Sequence, residues 1–343
     1  MSSERQRTQR RKRKKRKRLI AFFLILPLVF IAFTAAGYGA YLYKKAETVF
    51  SDSYEDDGRS KSDLRDSAVH PSKDNISILL MGIDDSEVRD FGDDTRTDAL
   101  MVATLNIKEK SIKLLSIPRD SYVYVPEVDY KTKITHAHAY GGPKVTIETV
   151  EELLDIPIDY YVRMNFHAFI DVVEAVDGIE VDVPYKLNEK DSKDRSNAIK
   201  LDPGVQELNG EEALALARTR KKDNDIERGK RQQEILQAVI KKAVSVNSIA
   251  KYDDVVEAIG SNMRTNMTFN EMKALVNYGS SGNLKTESLS LAGEDARDPS
   301  SGAYIYELDE TELEVIKRKL KRQLDISYND DSSSEEDYAA DDE

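Results

Sequence analysis

The sequence of this 343-residue chain predicts an α/β fold: a single extracytoplasmic α/β/α domain with a mixed central sheet, behind one N-terminal transmembrane helix. Three observations predict it. Residues 19–43 form an uncharged apolar run, and the residues before that run are strongly basic. From about residue 75 to 325, short apolar runs alternate with stretches of helical period, as is typical of layered α/β domains.

The N-terminal arm, residues 1–18, carries 11 Lys and Arg against one Glu. Its net charge is +10, and because the whole chain carries −12, the residues that follow carry −22. A basic run directly beside an apolar segment is a topology signal that also contacts anionic lipid. The arm is therefore predicted to be cytoplasmic, which is a simpler interpretation than a nucleic-acid patch.

Residues 19–43 predict the transmembrane helix. As a helix they would span about 37 Å, which is enough for a bilayer core of roughly 30 Å. Aromatic residues are expected at the membrane interface, and three tyrosines lie near the far end: Tyr38, Tyr41 and Tyr43. A cleaved signal peptide is the alternative, but the run is longer than the usual apolar core of about 7–15 residues. We expect a single-pass protein of the cell membrane with its N-terminus in the cytoplasm.

The remaining chain divides by composition. Residues 44–74 are polar without apolar period and predict a juxtamembrane linker, residues 75–325 predict the domain, and residues 326–343 predict an acidic, disordered tail. Cysteine is absent, which excludes disulfides, thiolate metal sites and a cysteine nucleophile.

Within the domain, apolar runs predict strands at Ile76–Ile83, Leu100–Ile107, Ile112–Ile117, Tyr160–Met164, Ile179–Val183, Glu287–Leu291 and Tyr304–Tyr306. Helical periods predict a helix that ends near Leu154, and further helices at Phe166–Val176, Glu211–Ala217, Ile226–Val244, Met272–Tyr278 and Glu310–Leu324. Asn165 is suited to cap the second of these helices, and Thr268 with Glu271 forms a capping-box pattern.

Four clusters of charged residues follow predicted strand ends or precede helices. They contain Asp84 and Asp85; Arg96 and Asp98; Arg119 and Asp120; and Arg218, Arg220, Asp223, Asp225, Arg228, Arg231 and Gln232. Arginine matches phosphate with a planar fork, and paired carboxylates suit Mg²⁺, so together they describe a pyrophosphate site. Because one third of the chain is charged, each residue alone is equally compatible with a solvated surface, and composition alone supports only an anion or metal site.

Two further features leave alternatives open. His136 and His138 are two ligands at most, so a packed or hydrogen-bonded role is favoured over a metal site. The apolar faces of Phe166–Val176 and Ile235–Val244 are compatible with a core and with a lipid-binding channel.

Six motifs, in order, resemble the LytR-CpsA-Psr family of cell-wall ligases over residues 75–325: LLMGIDD at 79–85, TRTDALM at 95–101, LLSIPRDSYV at 114–123, KITHAHAYGG at 133–142, DYYVRMNFHAF at 159–169 and ALALARTRKKDNDIERGKRQQ at 213–233. Two positions depart from the family pattern. Leu216 stands where an aromatic residue is usual, and Thr135 where Asn is usual.

The resemblance implies an enzyme that moves a glycopolymer, such as a teichoic acid or capsular polysaccharide, from a polyprenyl-pyrophosphate carrier at the bilayer to peptidoglycan. It implies that Asp84 and Asp98 hold Mg²⁺, or Mn²⁺, with Asp85 as an alternative to Asp84. It further implies that a set of arginines grips the phosphates, namely Arg96, Arg119, Arg218, Arg220 and Arg228. Arg231 and Gln232 belong to the same motif and are counted with Arg96 and Arg228 as binding residues, and Asp225 matches the residue we consider for accepting the acceptor's proton.

Two other functions are weighed against this one. A polyprenyl-pyrophosphate hydrolase would use the same residues with water as acceptor. A membrane-bound transcriptional regulator is disfavoured, because a body that carries −22 would be repelled by DNA phosphates and no helix-turn-helix is evident. We therefore expect no nucleic-acid partner.

Overall fold

The computed structural model describes residues 38–83, 96–222, 224–245, 262–280 and 284–326. The chain divides into a short unit, Met1–Thr48, and a large unit, Val49–Glu343. The predicted basic arm, the first 19 residues of the predicted transmembrane helix and the acidic tail from residue 327 lie outside the described residues. The described residues contain no helix that could span a bilayer.

The strands are β1 (Ile76–Ile83), β2 (Thr97–Asn106), β3 (Ser111–Ser116), β4 (Tyr122–Val125), β5 (Tyr130–Lys133), β6 (Tyr160–Asn165), β7 (Ile179–Val183), β8 (Leu187–Glu189), β9 (Ile199–Leu201), β10 (Gly204–Leu208), β11 (Met263–Thr265), β12 (Lys285–Ser290), β13 (Gly293–Arg297) and β14 (Tyr304–Leu308). The helices are α1 (38–52), α2 (Ala137–Leu154), α3 (Phe166–Ala175), α4 (Gly210–Arg218), α5 (Asp225–Ser245), α6 (Phe269–Ser280) and α7 (Glu310–Gln323).

A six-stranded mixed sheet lies at the centre of the large unit, with strand order β11-β6-β1-β2-β3-β12. Strand β1 pairs antiparallel with β2 and parallel with β6, and β3 pairs antiparallel with β2 and parallel with β12. The predicted α/β fold with a mixed central sheet is therefore confirmed.

The two faces of the sheet are covered by different helices because side chains alternate along each strand. In β1, Leu79 and Met81 belong to a buried cluster that includes residues of α2 and α7. On the opposite face, Ile76 and Ile78 belong to a cluster against which residues of α5 and α6 pack. Each such side chain contributes about 1.5–3 kcal/mol on burial, so both helical layers are held by apolar contact.

A third buried cluster joins α3, α4, β7 and β10 to the middle of α5, where Ile235 is buried.

The predicted caps are present at the starts of α3 and α6. Asn165 accepts a hydrogen bond from the Ala168 N–H at the start of α3, and Thr268 and Glu271 form the box that begins α6.

Residues 49–74, most of the predicted linker, belong to the large unit and pack against the rest of it. Arg65 forms an ion pair with Asp159 at 2.7 Å, and Arg59 forms one with Glu151 at 3.3 Å. The Ser53 carbonyl accepts the Thr265 N–H at 3.0 Å. The segment has no apolar period because charged and backbone hydrogen bonds hold it, and the domain therefore begins near residue 49.

Candidate active site

Three separated parts of the sequence meet at one end of the central sheet. Asp98 is the second residue of β2, Arg119 follows β3, and Asp225 with Arg228 forms the first turn of α5. Pro118 follows directly after Ile117, so the chain leaves the sheet there and Arg119 is presented beside the start of α5.

Arg119 connects the two aspartates. Its Nη1 donates to Asp98 Oδ1 at 2.5 Å, and its backbone N–H donates to Asp225 Oδ2 at 3.1 Å. Both the side chain and the main chain of this residue are therefore used to fix the site.

Arg228 joins the same group from α5. Its Nη2 lies 2.5 Å from Asp225 Oδ1, as an ion pair without hydrogen-bond geometry, and donates to the Asp98 carbonyl at 3.3 Å. Helix α5 can approach β3 this closely because residue 229 is glycine: a Cβ there would lie 2.3 Å from Ser116 Oγ.

The site holds more positive charge and more donors than its own carboxylates satisfy. Arg119 Nε and Arg228 Nε are buried without a hydrogen-bond partner in the described part of the chain. Burial lowers the pKa of Arg228, the Asp225 carboxylate opposes that change, and the nearby charges of Arg220 and Arg119 lower the pKa further. A buried donor left unpaired is costly, so this geometry favours an anionic ligand.

Arg218 and Arg220 lie at the C-terminal end of α4 and are exposed. The Arg218 guanidinium lies over the Phe166 ring, 4.4 Å from its centroid, which fixes its plane. A cleft of about 370 Å³ opens here, lined by Glu189, Lys190, Ala215, Arg218, Thr219, Arg220 and Lys221.

Arg231 and Gln232 are placed differently from the phosphate contacts that we predicted. Arg231 is buried and donates to the carbonyls of Leu216 and Thr219 at 3.2 and 2.6 Å. Gln232 donates to the Ala217 carbonyl at 3.1 Å. These contacts satisfy the last turn of α4, so the two residues hold the helix end that presents Arg218 and Arg220.

Arg96 lies beside His136, whose pKa is lowered by burial and by the charges of Arg96 and Lys133. His136 hydrogen-bonds Thr132 Oγ1 through Nδ1 at 2.9 Å, and His138 is buried beside Arg163, so both histidines have the packed, hydrogen-bonded roles that we favoured. Thr135 donates to the Thr97 carbonyl at 2.6 Å.

The metal ligands are described in part. Asp98 is present with its carboxylate one-third exposed, whereas Asp84 and Asp85 lie outside the described residues. In the described ranges, no group of three or more His, Cys, Asp or Glu is arranged to hold a metal ion. The Asp98 oxygens are the hard ligand type that Mg²⁺ prefers, so the donor chemistry fits this ion.

Two residues at the site, Lys133 and Tyr304, were not among the site residues predicted from the sequence. Lys133 Nζ donates to Asp120 Oδ1 at 2.7 Å and lies 5.5 Å from the centroid of the Tyr304 ring. Lys133 reaches the site only because β5 pairs with β4, and that hairpin has no strong pattern in the sequence.

Comparison with known proteins places this geometry in context. The LytR_cpsA_psr family model matches residues 40–322. The polyisoprenyl-teichoic acid–peptidoglycan teichoic acid transferase TagT of Bacillus subtilis is 40% identical over 303 residues, which cover 87% of this chain and 92% of TagT.

Two solved structures are similar over most of their length. One, described as TagT bound to LI-WTA, is 39% identical with a TM-score of 0.67 and covers 78% of this chain and 98% of its own. Another, described as TagT with bound octaprenyl pyrophosphate lipid, is 37% identical with a TM-score of 0.63 and covers the same shares.

Proposed function

Because the chain belongs to the LytR_cpsA_psr family, we propose that it transfers a teichoic acid or related glycopolymer from a polyprenyl-pyrophosphate carrier to peptidoglycan. The observation that carries this proposal is the pair of arginines Arg119 and Arg228, whose buried Nε atoms have no hydrogen-bond partner among the described residues. A pyrophosphate brings the negative charge and the acceptor oxygens that these groups lack.

The reaction is a phosphoryl transfer. A hydroxyl oxygen of the acceptor glycan attacks the phosphorus that carries the glycopolymer, and a new P–O bond forms. The bond from this phosphorus to the bridging oxygen breaks, and polyprenyl monophosphate leaves with that oxygen. The hydroxyl proton passes to a base, and no outside energy source is needed because the pyrophosphate bond is already activated.

The role of each residue follows from its position in the site. Arg119 and Arg228 bind the pyrophosphate from within the site and stabilise the charge that grows on the leaving phosphate. The exposed pair, Arg218 and Arg220, and Arg96 bind the outer phosphate oxygens. Asp225 is positioned by the Arg119 N–H to accept the acceptor's proton.

Mg²⁺, or Mn²⁺ in its place, would be held by Asp98 with Asp84, and substrate oxygens or water would complete its coordination. When bound, the ion supplies further charge neutralisation at the pyrophosphate. Asp98 would then exchange its contact with Arg119, whose Nη1 becomes available to the phosphate.

The location follows from the substrate. A polyprenyl carrier is a membrane lipid, so a domain anchored through residues 19–43 would meet it at the outer surface. The apolar side chains of α3 and α5 that pack around the third buried cluster, among them Phe169 and Val239, are suited to contact the prenyl chain.

The test uses the full chain in detergent with a synthetic polyprenyl-pyrophosphate disaccharide and peptidoglycan glycan fragments. We expect release of polyprenyl monophosphate with a matching mass gain on the glycan, both dependent on divalent metal. Arg228→Ala is expected to lower the rate by about 10²-fold or more, since it removes a charge contact made in the transition state. Release without gain on the glycan would identify a hydrolase, and absence of both release and lipid binding would reject the proposal.

A further inference from the structure

Aromatic and basic side chains lie beside Asp120 and around the β4–β5 hairpin, next to the site. We define the tyrosine strip by five residues in two groups: Tyr304 and Lys133, which contact each other, and His136, Tyr140 and Tyr130, which contact one another. Three of them are exposed tyrosines, with 38–49% of their surface open. None of the five has a role in the phosphate chemistry described above.

The strip is anchored at the reaction centre. Lys133 joins Asp120 at 2.7 Å, and the neighbouring residue, Arg119, donates its N–H to Asp225. The Tyr306 N–H donates to the Asp120 carbonyl at 2.9 Å, which fixes β14, and with it Tyr304, beside the same loop. The pKa of Tyr304 is raised mainly by burial and by its hydrogen bond to Asp295, with smaller effects from Asp295, Asp120 and Asp225.

The second group of the strip is held together by its own contacts. His136 stacks edge-on against Tyr140, with ring centroids 6.5 Å apart, and the hydroxyls of Tyr130 and Tyr140 are 2.8 Å apart. Tyr130 and Lys133 are three residues apart in β5, roughly 10 Å along the strand, and their side chains leave opposite faces of it. His136 lies between the two groups, and its pKa is lowered by burial and in part by the charges of Arg96 and Lys133. The surface is therefore longer than the contact area of one small group.

The chemistry of these side chains suits a sugar polymer. A pyranose ring has an apolar C–H face that packs on an aromatic ring and a rim of hydroxyls that needs hydrogen bonds, and tyrosine offers both. Lys131 is exposed in the same strand as Lys133 and adds positive charge to a body that is otherwise acidic. That charge suits the carboxylates that peptidoglycan carries on its stem peptides.

We propose that the tyrosine strip binds the acceptor, a glycan strand of N-acetylated hexosamines, and that Tyr304 holds the sugar whose hydroxyl faces Asp225. This inference rests on the proposed transfer function, because it assigns the acceptor side of that reaction. The phosphate-binding residues Arg218 and Arg220 lie at the end of α4, whereas the strip is built from β5, β14 and the segment that begins α2.

The first experiment compares Tyr304→Ala and Tyr304→Phe in the full chain in detergent, with Tyr54→Ala as the matched control. Tyr54 is an equally exposed tyrosine bridged to Thr265 of the edge strand β11, at the opposite edge of the sheet from β12. We expect Tyr304→Ala to raise the KM for glycan by about tenfold and Tyr304→Phe by at most about twofold, because phenylalanine keeps the stacking face. Binding of the polyprenyl-pyrophosphate disaccharide in the absence of glycan is expected to stay unchanged.

A second measurement separates this inference from the proposed function. Saturation-transfer NMR with a peptidoglycan disaccharide and tetrasaccharide reports binding without any reaction. We expect Tyr304→Ala to weaken both signals and Tyr130→Ala to weaken only the tetrasaccharide signal. If wild type transfers polymer but Tyr304→Ala leaves the KM and both signals unchanged, the strip is rejected while the function stands. If the NMR signals depend on Tyr304 but no transfer occurs, the strip stands and the function is rejected.

Discussion

At the scale of single residues, Asp225 has two partners that point to different roles. The Arg119 N–H positions its Oδ2, which suits a group that accepts a proton, and Arg228 lies against its Oδ1, which suits a group that holds an arginine in place. Both contacts are made by the same carboxylate. A substitution that distinguishes the two roles must therefore remove the negative charge and keep the shape of the side chain.

Asp225→Asn makes that separation. The amide keeps an oxygen for the Arg119 N–H but cannot accept a proton at neutral pH. We expect transfer to fall by about 10²–10⁴-fold with lipid affinity retained, as measured by product release and by lipid binding on the same preparation. Normal turnover would rule out a role as base, and an equal loss of lipid affinity would show that Asp225 acts only by holding Arg228.

The residues of the site were predictable to different degrees, for physical reasons. Asp98, Arg119, Asp225 and Arg228 were predicted because charged residues at strand ends and helix starts meet at one edge of a sheet. Arg231 is three residues beyond Arg228, yet it turns to the carbonyls of α4, a tertiary contact that spacing does not contain.

At the scale of elements, five strands of the central sheet were predicted, namely β1, β2, β3, β6 and β12, whereas β4 and several short polar strands were missed. The bounds of β1 and β7 agree with the prediction residue by residue, because buried strands consist of apolar or alternating runs. Strands β5 and β13 contain mostly charged or polar residues and were not predicted. Their pairing depends on β4 and β14, so local composition does not reveal them.

A substitution of Gly229 tests how closely the start of α5 must approach β3. In a free helix, Gly→Ala stabilises by about 1 kcal/mol, but here the new Cβ would lie 2.3 Å from Ser116 Oγ. Because overpacking costs about 1–3 kcal/mol, we expect Gly229→Ala to lower the free energy of unfolding in urea and to slow transfer by displacing Arg228.

The matched control is the double variant Gly229→Ala, Ser116→Ala, which removes the clashing hydroxyl. We expect it to recover most of the lost stability and activity. If the double variant is no better than the single one, contact with Ser116 is not what requires glycine at this position.

At the scale of the whole molecule, the segment 49–74 decides where the domain begins. Residues of this segment form hydrogen bonds and ion pairs with groups of the domain that would otherwise be buried without a partner. The Tyr161 hydroxyl donates to the Glu55 carbonyl at 2.9 Å, and Arg65 pairs with the buried Asp159. Asp159 also accepts the Ser77 N–H at 2.9 Å, so the ion pair connects the segment to β1.

This arrangement predicts different stabilities for two shortened chains. A chain that begins at residue 49 keeps these contacts, whereas one that begins at residue 75 leaves Asp159 and Glu151 without their arginines. Removing one partner of a buried ion pair costs about 3–5 kcal/mol, so we expect the shorter chain to unfold at clearly lower urea concentration. Arg65→Ala in the longer chain is the matched control, and we expect it to reproduce much of the loss. Equal urea midpoints for the two chains would show that residues 49–74 rest on the domain without stabilising it, and catalysis could then be studied from residue 75 onward.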